Sequence, residues 1–152
     1  MRKATIKETN KFLKNKTEFC DILEENIKGY SGEFKEIIIY APKIYKLMCA
    51  LLDSPNINKS SRNRISSAIA YFILPKDIFP EEIFGTKGYI DDMYLCLHEL
   101  RKINDEYEFE ELLQYWDDEP RILKNLLSKE YEKIDEKLNY ILNDMLKYIG
   151  LN

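Results

Sequence analysis

The chain has one histidine and one tryptophan in 152 residues, with five glycines, five prolines and three cysteines. Each scarcity excludes something. A lone histidine, His98, supports no nucleophile–base pair with a histidine to spare. On a helix the Cys96-Leu-His98 spacing turns its two side chains about 200° apart, which spoils joint metal ligation. No glycine-rich phosphate loop, serine-centred elbow or Cys-x-x-Cys pair can be found. Cys20, Cys49 and Cys96 are odd in number, widely spaced and set in apolar helical patterns, so they are expected to be buried thiols rather than a disulfide framework. The longest apolar runs, Ile37 to Ala41 and Ile69 to Pro75, fall well short of the roughly 18 residues a membrane span needs. Behind the initial Met-Arg-Lys-Ala-Thr-Ile-Lys-Glu there is no apolar core of a secretory signal, and a cytoplasmic protein is expected.

Hydrophobic residues make up 45% and charged residues 33%, the balance of a globular chain rather than a disordered one. The length suits one domain, 1–152, with a single core. A net charge of −4 argues against a general nucleic-acid binder, and no specific nucleic-acid partner is expected. The charge is uneven. Arg2, Lys3, Lys7, Lys11, Lys14 and Lys16 crowd the start, whereas Asp105, Glu106, Glu108, Glu110, Glu111, Asp117, Asp118 and Glu119 form an acidic run.

Helical periodicity dominates. Ile6, Leu13, Cys20 and Ile27 recur every seventh residue, which predicts an amphipathic helix over 5–28 that Gly29 and Gly32 break. A second segment runs from Glu33 to Leu52, where Pro42 either kinks it or opens a new helix. Ser60 or Ser61 is the expected N-cap of the next helix, through Ile65, Ile69 and Phe72. Ile90, Met93, Leu97, Leu100 and Ile103 predict another buried stripe. Pro120 behind Glu119 starts a last helix that Gly150 ends. Its seam, Leu127, Tyr131, Ile134, Leu138, Ile141, Met145 and Tyr148, alternates four and three. The first helix, or a second copy of the last, is expected to cover it. The fold class is therefore all-α, a compact bundle of five to seven helices with a central helix-turn-helix and long terminal helices.

That centre is residues 65–97. Pro75 ends one helix and Gly88 opens the next, placing Asp91 and Asp92 in the first turn, where carboxylates meet unpaired N–H groups. Pro75, Asp77, Pro80, Gly88, Asp91 and Asp92 are read as a structural motif. Asp91 and Asp92 are expected to cap the helix and to pair with Arg62, Arg64 or Lys76. A second reading makes Asp77, Asp91 and Asp92 oxygen ligands for Mg²⁺ or Ca²⁺, with Glu81 and Glu82 nearby, in a metal-binding protein or metal-dependent hydrolase. Tyr107, Tyr115 and Trp116, aromatics ringed by the acidic run, are the candidates for a partner-binding surface.

The Pro75-Lys-Asp77-Ile-Phe-Pro80-Glu81 and Gly88-Tyr89-Ile90-Asp91-Asp92 elements, with Tyr71-Phe72 before them, resemble the signature of the YkvA-like domain over about residues 46–103. Members differ in having Asp after the second proline and a further proline before the glycine, where this chain has Glu81, Glu82 and Ile83 to Lys87. The resemblance implies a small helical fold and assigns no activity. With no complete catalytic constellation and an uncovered heptad seam, a non-enzymatic interaction or adaptor protein is expected. It would act through a protein partner or self-association, without a resident cofactor.

Overall fold

The computed structural model describes residues 19–73 and 88–151. Every regular element among them is helical. In chain order these are α1 (19–27), α2 (Lys35–Ile38), α3 (Ala41–Leu52), α4 (Lys59–Ile73), α5 (Gly88–Tyr107), α6 (Phe109–Leu113) and α7 (Pro120–Asn125). A π-helical turn over Leu126–Glu130 then leads into α8 (Tyr131–Tyr148). The expected long last helix is thus real, but it carries one wide turn that the apolar pattern does not announce.

At the helix ends, local chemistry decides. Pro42 falls in the first turn of α3, so the segment after Glu33 is two helices rather than one kinked helix. The start of α4 differs from the expected Ser60 or Ser61 cap. Asn58 Oδ1 accepts from Ser61 N at 2.8 Å, and the Ser61 hydroxyl donates to Glu106 at 2.7 Å. Asn58 sits one residue before the helix, where its oxygen reaches the third N–H, and it wins the capping position. Pro120 opens α7 as expected. Beyond α8, Gly150 has φ 82°, with Leu151 N bonded to Leu146 O at 2.7 Å and Gly150 N to Lys147 O at 3.1 Å. That pair of bonds is a Schellman motif, and its left-handed residue favours glycine.

α5 is the centre of the molecule. It packs on α2, α3, α4, α6, the π turn and α8. Ile90 to Leu97 are buried without interruption, so the expected stripe is one side of a helix covered on all sides. Partners 64 with 99 and 71 with 91 make α4 and α5 an antiparallel pair. The seam of α8 is buried from Tyr131 to Met145, and it is α5 that covers it, through Tyr94 to Asp135 and His98 to Tyr131. α1 lies elsewhere. Phe19 meets Tyr45 and Phe72 with ring centroids at 5.1 and 5.9 Å, and Lys46 pairs with Glu24 at 3.2 Å. Tyr148, assigned to the seam from its spacing, is 40% exposed and touches the ring of Tyr71 edge-on. All three cysteines are buried and form no disulfide.

Candidate functional site

Asp91 falls in the first turn of α5 as expected and Asp92 just after it, yet both are interior residues, 6% and 3% exposed. The Tyr71 hydroxyl, at the end of α4, donates to Asp91 Oδ2 at 2.8 Å. A carboxylate withdrawn from water needs such donors, because burial without hydrogen bonds costs ~2–7 kcal/mol for neutral groups and more for ions. The expected pairing with Arg62 or Arg64 is not what those side chains do. Arg64 grips Glu99 with Nε and Nη2 at 2.8 and 3.0 Å, and Arg62 donates to the carbonyls of Ser54 and Ile57 at 2.9 and 3.0 Å. Glu99, 1% exposed, is the deeper charge and takes the bidentate donor.

Pro75, Lys76, Asp77, Pro80, Glu81 and Glu82 lie outside the described residues, and Gly88 opens α5. Among the described residues no three His, Cys, Asp or Glu side chains gather to hold a metal ion. Asp91 and Asp92 are the described members of the expected set. Being adjacent on a helix, their side chains leave it about 100° apart.

Asp91 also lines a pocket of about 220 Å³. Ile90, Leu138 and Ile141, all buried, form its apolar walls together with Phe34, and Glu33 and Lys137 stand at its rim. Three stretches converge here: residues 33–34 before α2, the first turn of α5, and the middle of α8. The loop before α2 is held by Tyr30, whose hydroxyl donates to Glu33 O at 2.6 Å while its ring lies against Gly32. A Cβ at position 32 would stand 2.8 Å from that hydroxyl oxygen, so any larger residue there must push the Tyr30 ring aside. Phe34 follows in the left-handed region at φ 62°. Lys137 pairs with Glu33 and sits 5.3 Å from the centroid of the Phe34 ring, a cation over an aromatic face.

A second polar cluster lies further along the face that α5 turns toward α8. His98 Nδ1 is 3.0 Å from the Tyr131 hydroxyl, Arg101 lies 4.1 Å over the Tyr131 ring, and Tyr94 donates to Asp135 at 2.5 Å. The π turn immediately precedes Tyr131. Burial, reinforced by Lys102, Arg64 and Arg101, pushes His98 down to about 4, so the imidazole is neutral near pH 7. Its Nε2 is buried and has no hydrogen-bond partner among the described residues. Burial likewise pushes the Cys96 and Cys20 thiols up, which makes them poor nucleophiles. The sequence offered no signal for this cluster beyond the presence of one histidine in a helical stripe.

The acidic run is tied to its own fold. Trp116 is buried and donates Nε1–H to Glu119 O at 3.0 Å, the half-buried Tyr115 donates to Ser54 Oγ at 3.0 Å, and the Tyr107 hydroxyl accepts from Asn58 N at 2.9 Å. Glu111 accepts from Ser54 and Asn56, and Asp118 from Lys43, which holds the Asp118 carboxyl below its ordinary range. Tyr107 and Tyr115 fasten the end of α5 and the residues after α6 to the turn between α3 and α4, and Trp116 closes the turn before α7.

Residues 64–97 match the family described as a protein of unknown function, DUF1232. The matched segment holds Arg64, Tyr71, Ile90 and Asp91, and so one wall of the pocket. The uncharacterised protein ORF9 of Methanothermobacter thermautotrophicus is 30% identical over 133 residues, which is 88% of this chain and 90% of ORF9. No solved structure matches the chain.

Proposed function

This chain belongs to the family of the archaeal protein ORF9, and from that premise we propose that it is a non-enzymatic interaction protein, an adaptor of the YkvA-like kind, that receives a side chain of a protein partner in the pocket beside Asp91. The observation that carries this reading is the make-up of the pocket. Its walls are Phe34, Ile90, Leu138 and Ile141, its rim is the Glu33–Lys137 pair, and its volume is about 220 Å³. Small-molecule sites usually span roughly 300–1,000 Å³. A space below that range suits one bulky side chain, set in apolar contact and ringed by charge, which is the anatomy of an interface hot spot. Among the described residues the lining offers no hydroxyl, thiol or imidazole, and Asp91, its interior acid, is already engaged by Tyr71. Buried, unlinked thiols support a reducing compartment such as the cytoplasm.

A photo-reactive residue placed at Lys137 tests this. The expected product is a crosslink to a discrete partner chain in cells, lost when Leu138→Asp fills the pocket with charge in a chain that still folds by circular dichroism. A crosslink pattern that ignores Leu138→Asp would reject the pocket as the docking point.

A further inference from the structure

We propose that the side chain received by this pocket is Tyr140 of a second copy, so that the protein forms a two-fold dimer with each α8 supplying both a knob and a hole. This rests on the pocket being a side-chain receptor, as argued above, and names its occupant.

Among the described residues four large hydrophobic side chains are exposed, Ile22, Ile39, Tyr140 and Tyr148, and Tyr140 is the most exposed at 69%. Two of the four lie on α8, the helix that supplies Lys137, Leu138 and Ile141 to the pocket. Tyr140 stands directly between Leu138 and Ile141 in sequence, so knob and hole occupy the same height on the helix. At about 100° per residue it leaves the helix roughly a quarter turn from the pocket. A two-fold axis running parallel to α8, beside the face between knob and hole, carries each Tyr140 toward the other copy's pocket at the same height. This is the condition for a closed, isologous contact, because one patch must complement itself.

Size and chemistry agree. A cavity of about 150 Å³ can hold a benzene molecule, so a space of about 220 Å³ admits a phenol ring. Tyrosine has an apolar body and a polar tip. Its ring would meet Ile90, Leu138 and Ile141, while its hydroxyl meets a rim that offers both a carboxylate, Glu33, and an ammonium, Lys137. The rim carries both signs, so two copies can approach without the repulsion that a single-sign patch would impose. Tyr148, 40% exposed and packed edge-on against Tyr71, extends the aromatic surface two turns along the same helix.

Sedimentation of the full chain from micromolar to near-millimolar concentration tests the dimer, and the methyl NMR signals of Ile90 and Ile141 report on the hole. The wild type is expected to dimerise, with both methyl signals moving as concentration rises. Tyr140→Ala, at an exposed position that leaves the fold intact, is expected to weaken the dimer at least about tenfold, as for an aromatic anchor, and to freeze both signals. Ile22→Ala, exposed on α1, should change neither. A dimer that survives Tyr140→Ala, or one that leaves the Ile90 and Ile141 methyls unmoved, overturns the assignment of the occupant. A chain that stays monomeric throughout overturns it as well. In either case a Lys137 crosslink to a different protein that is lost in Leu138→Asp would leave the pocket reading standing, and the absence of any such crosslink would remove both.

Discussion

Tyr71 closes α4 over the start of α5 by donating its hydroxyl to Asp91 Oδ2 at 2.8 Å, twenty positions along the chain. The bond joins two buried residues, 1% and 6% exposed, and it fixes the carboxylate that lines the pocket. Hydrogen bonds to charged groups contribute about 1.5–3 kcal/mol. Tyr71→Phe keeps the ring against Tyr148 and removes only the donor, so a loss near the lower end of that range is expected in urea unfolding. A loss of less than about 0.5 kcal/mol, the scatter of surface substitutions, would show that Asp91 does not depend on this donor.

The Arg64–Glu99 pair has a different signature. Glu99 is almost wholly buried, so Arg64→Met strands its charge and is expected to cost about 3–5 kcal/mol. The double substitution Arg64→Met with Glu99→Leu removes both charges and should recover most of that loss. Two additive losses in the cycle would contradict the pairing.

Much of this was legible in the sequence, and the parts that were not have physical reasons. Pro120, Gly150, the seam of α8 from Tyr131 to Met145 and the burial of the three cysteines follow from local rules, since each depends on its own few neighbours. What covers that seam does not. Periodicity says that a face is buried and is silent about its partner, so the first helix or a second copy of the last was expected there, and α5 was not. Asn58 prevailed over Ser60 and Ser61 because several residues in that turn can cap and only backbone geometry selects one. The π turn adds width without altering the apolar count. Asp91 and Asp92 carried the strongest motif, but helix-start carboxylates look alike whether they face water or the interior, and Arg64 chose Glu99 across 35 positions. The pocket itself draws on residues 33–34, 90–91 and 137–141, three places that no local pattern connects.

Glu108, between α5 and α6, holds φ 80° and ψ 160°, a region that is almost reserved for glycine. Its backbone N–H still bonds to Asn104 O at 3.1 Å and its side chain is exposed. Strain of this kind costs roughly 1–3 kcal/mol. Glu108→Gly relieves it and should raise the melting temperature, while Glu108→Val should lower it. A lower melting temperature for the glycine variant would mean that the carboxylate contributes more than the strain costs.

Divalent cations give a direct test of the carboxylates. A ligand that binds the native state raises stability by mass action, by about 2.7 kcal/mol at a hundredfold excess over its dissociation constant. With Asp91 engaged by Tyr71, and with no cluster of three ligands among the described residues, Mg²⁺ and Ca²⁺ are expected to leave the melting temperature unchanged. An increase that Asp91→Asn or Asp77→Ala abolishes would instead establish a metal site and return the metal-dependent reading to first place.

His98 makes stability depend on pH. Burial among Arg64, Arg101 and Lys102 pushes its pKa down to about 4 from an ordinary value of 6.5, and the Tyr131 hydroxyl at 3.0 Å is its one hydrogen-bond neighbour in the described interior. A depressed folded value means that the unfolded chain binds the proton more readily. The stabilising effect of the neutral ring is complete above pH 6.5 and is lost as pH falls from there toward 4. At about 1.4 kcal/mol per unit the full loss comes to roughly 3 kcal/mol. Carboxylates that titrate below pH 5 add their own slope, so the diagnostic interval is 6.5 to 5, where histidine dominates. His98→Gln keeps a polar side chain of similar reach and cannot titrate. Unfolding free energy measured across that interval should fall for the wild type and stay flat for His98→Gln, and parallel slopes for the two would place the proton uptake on another group.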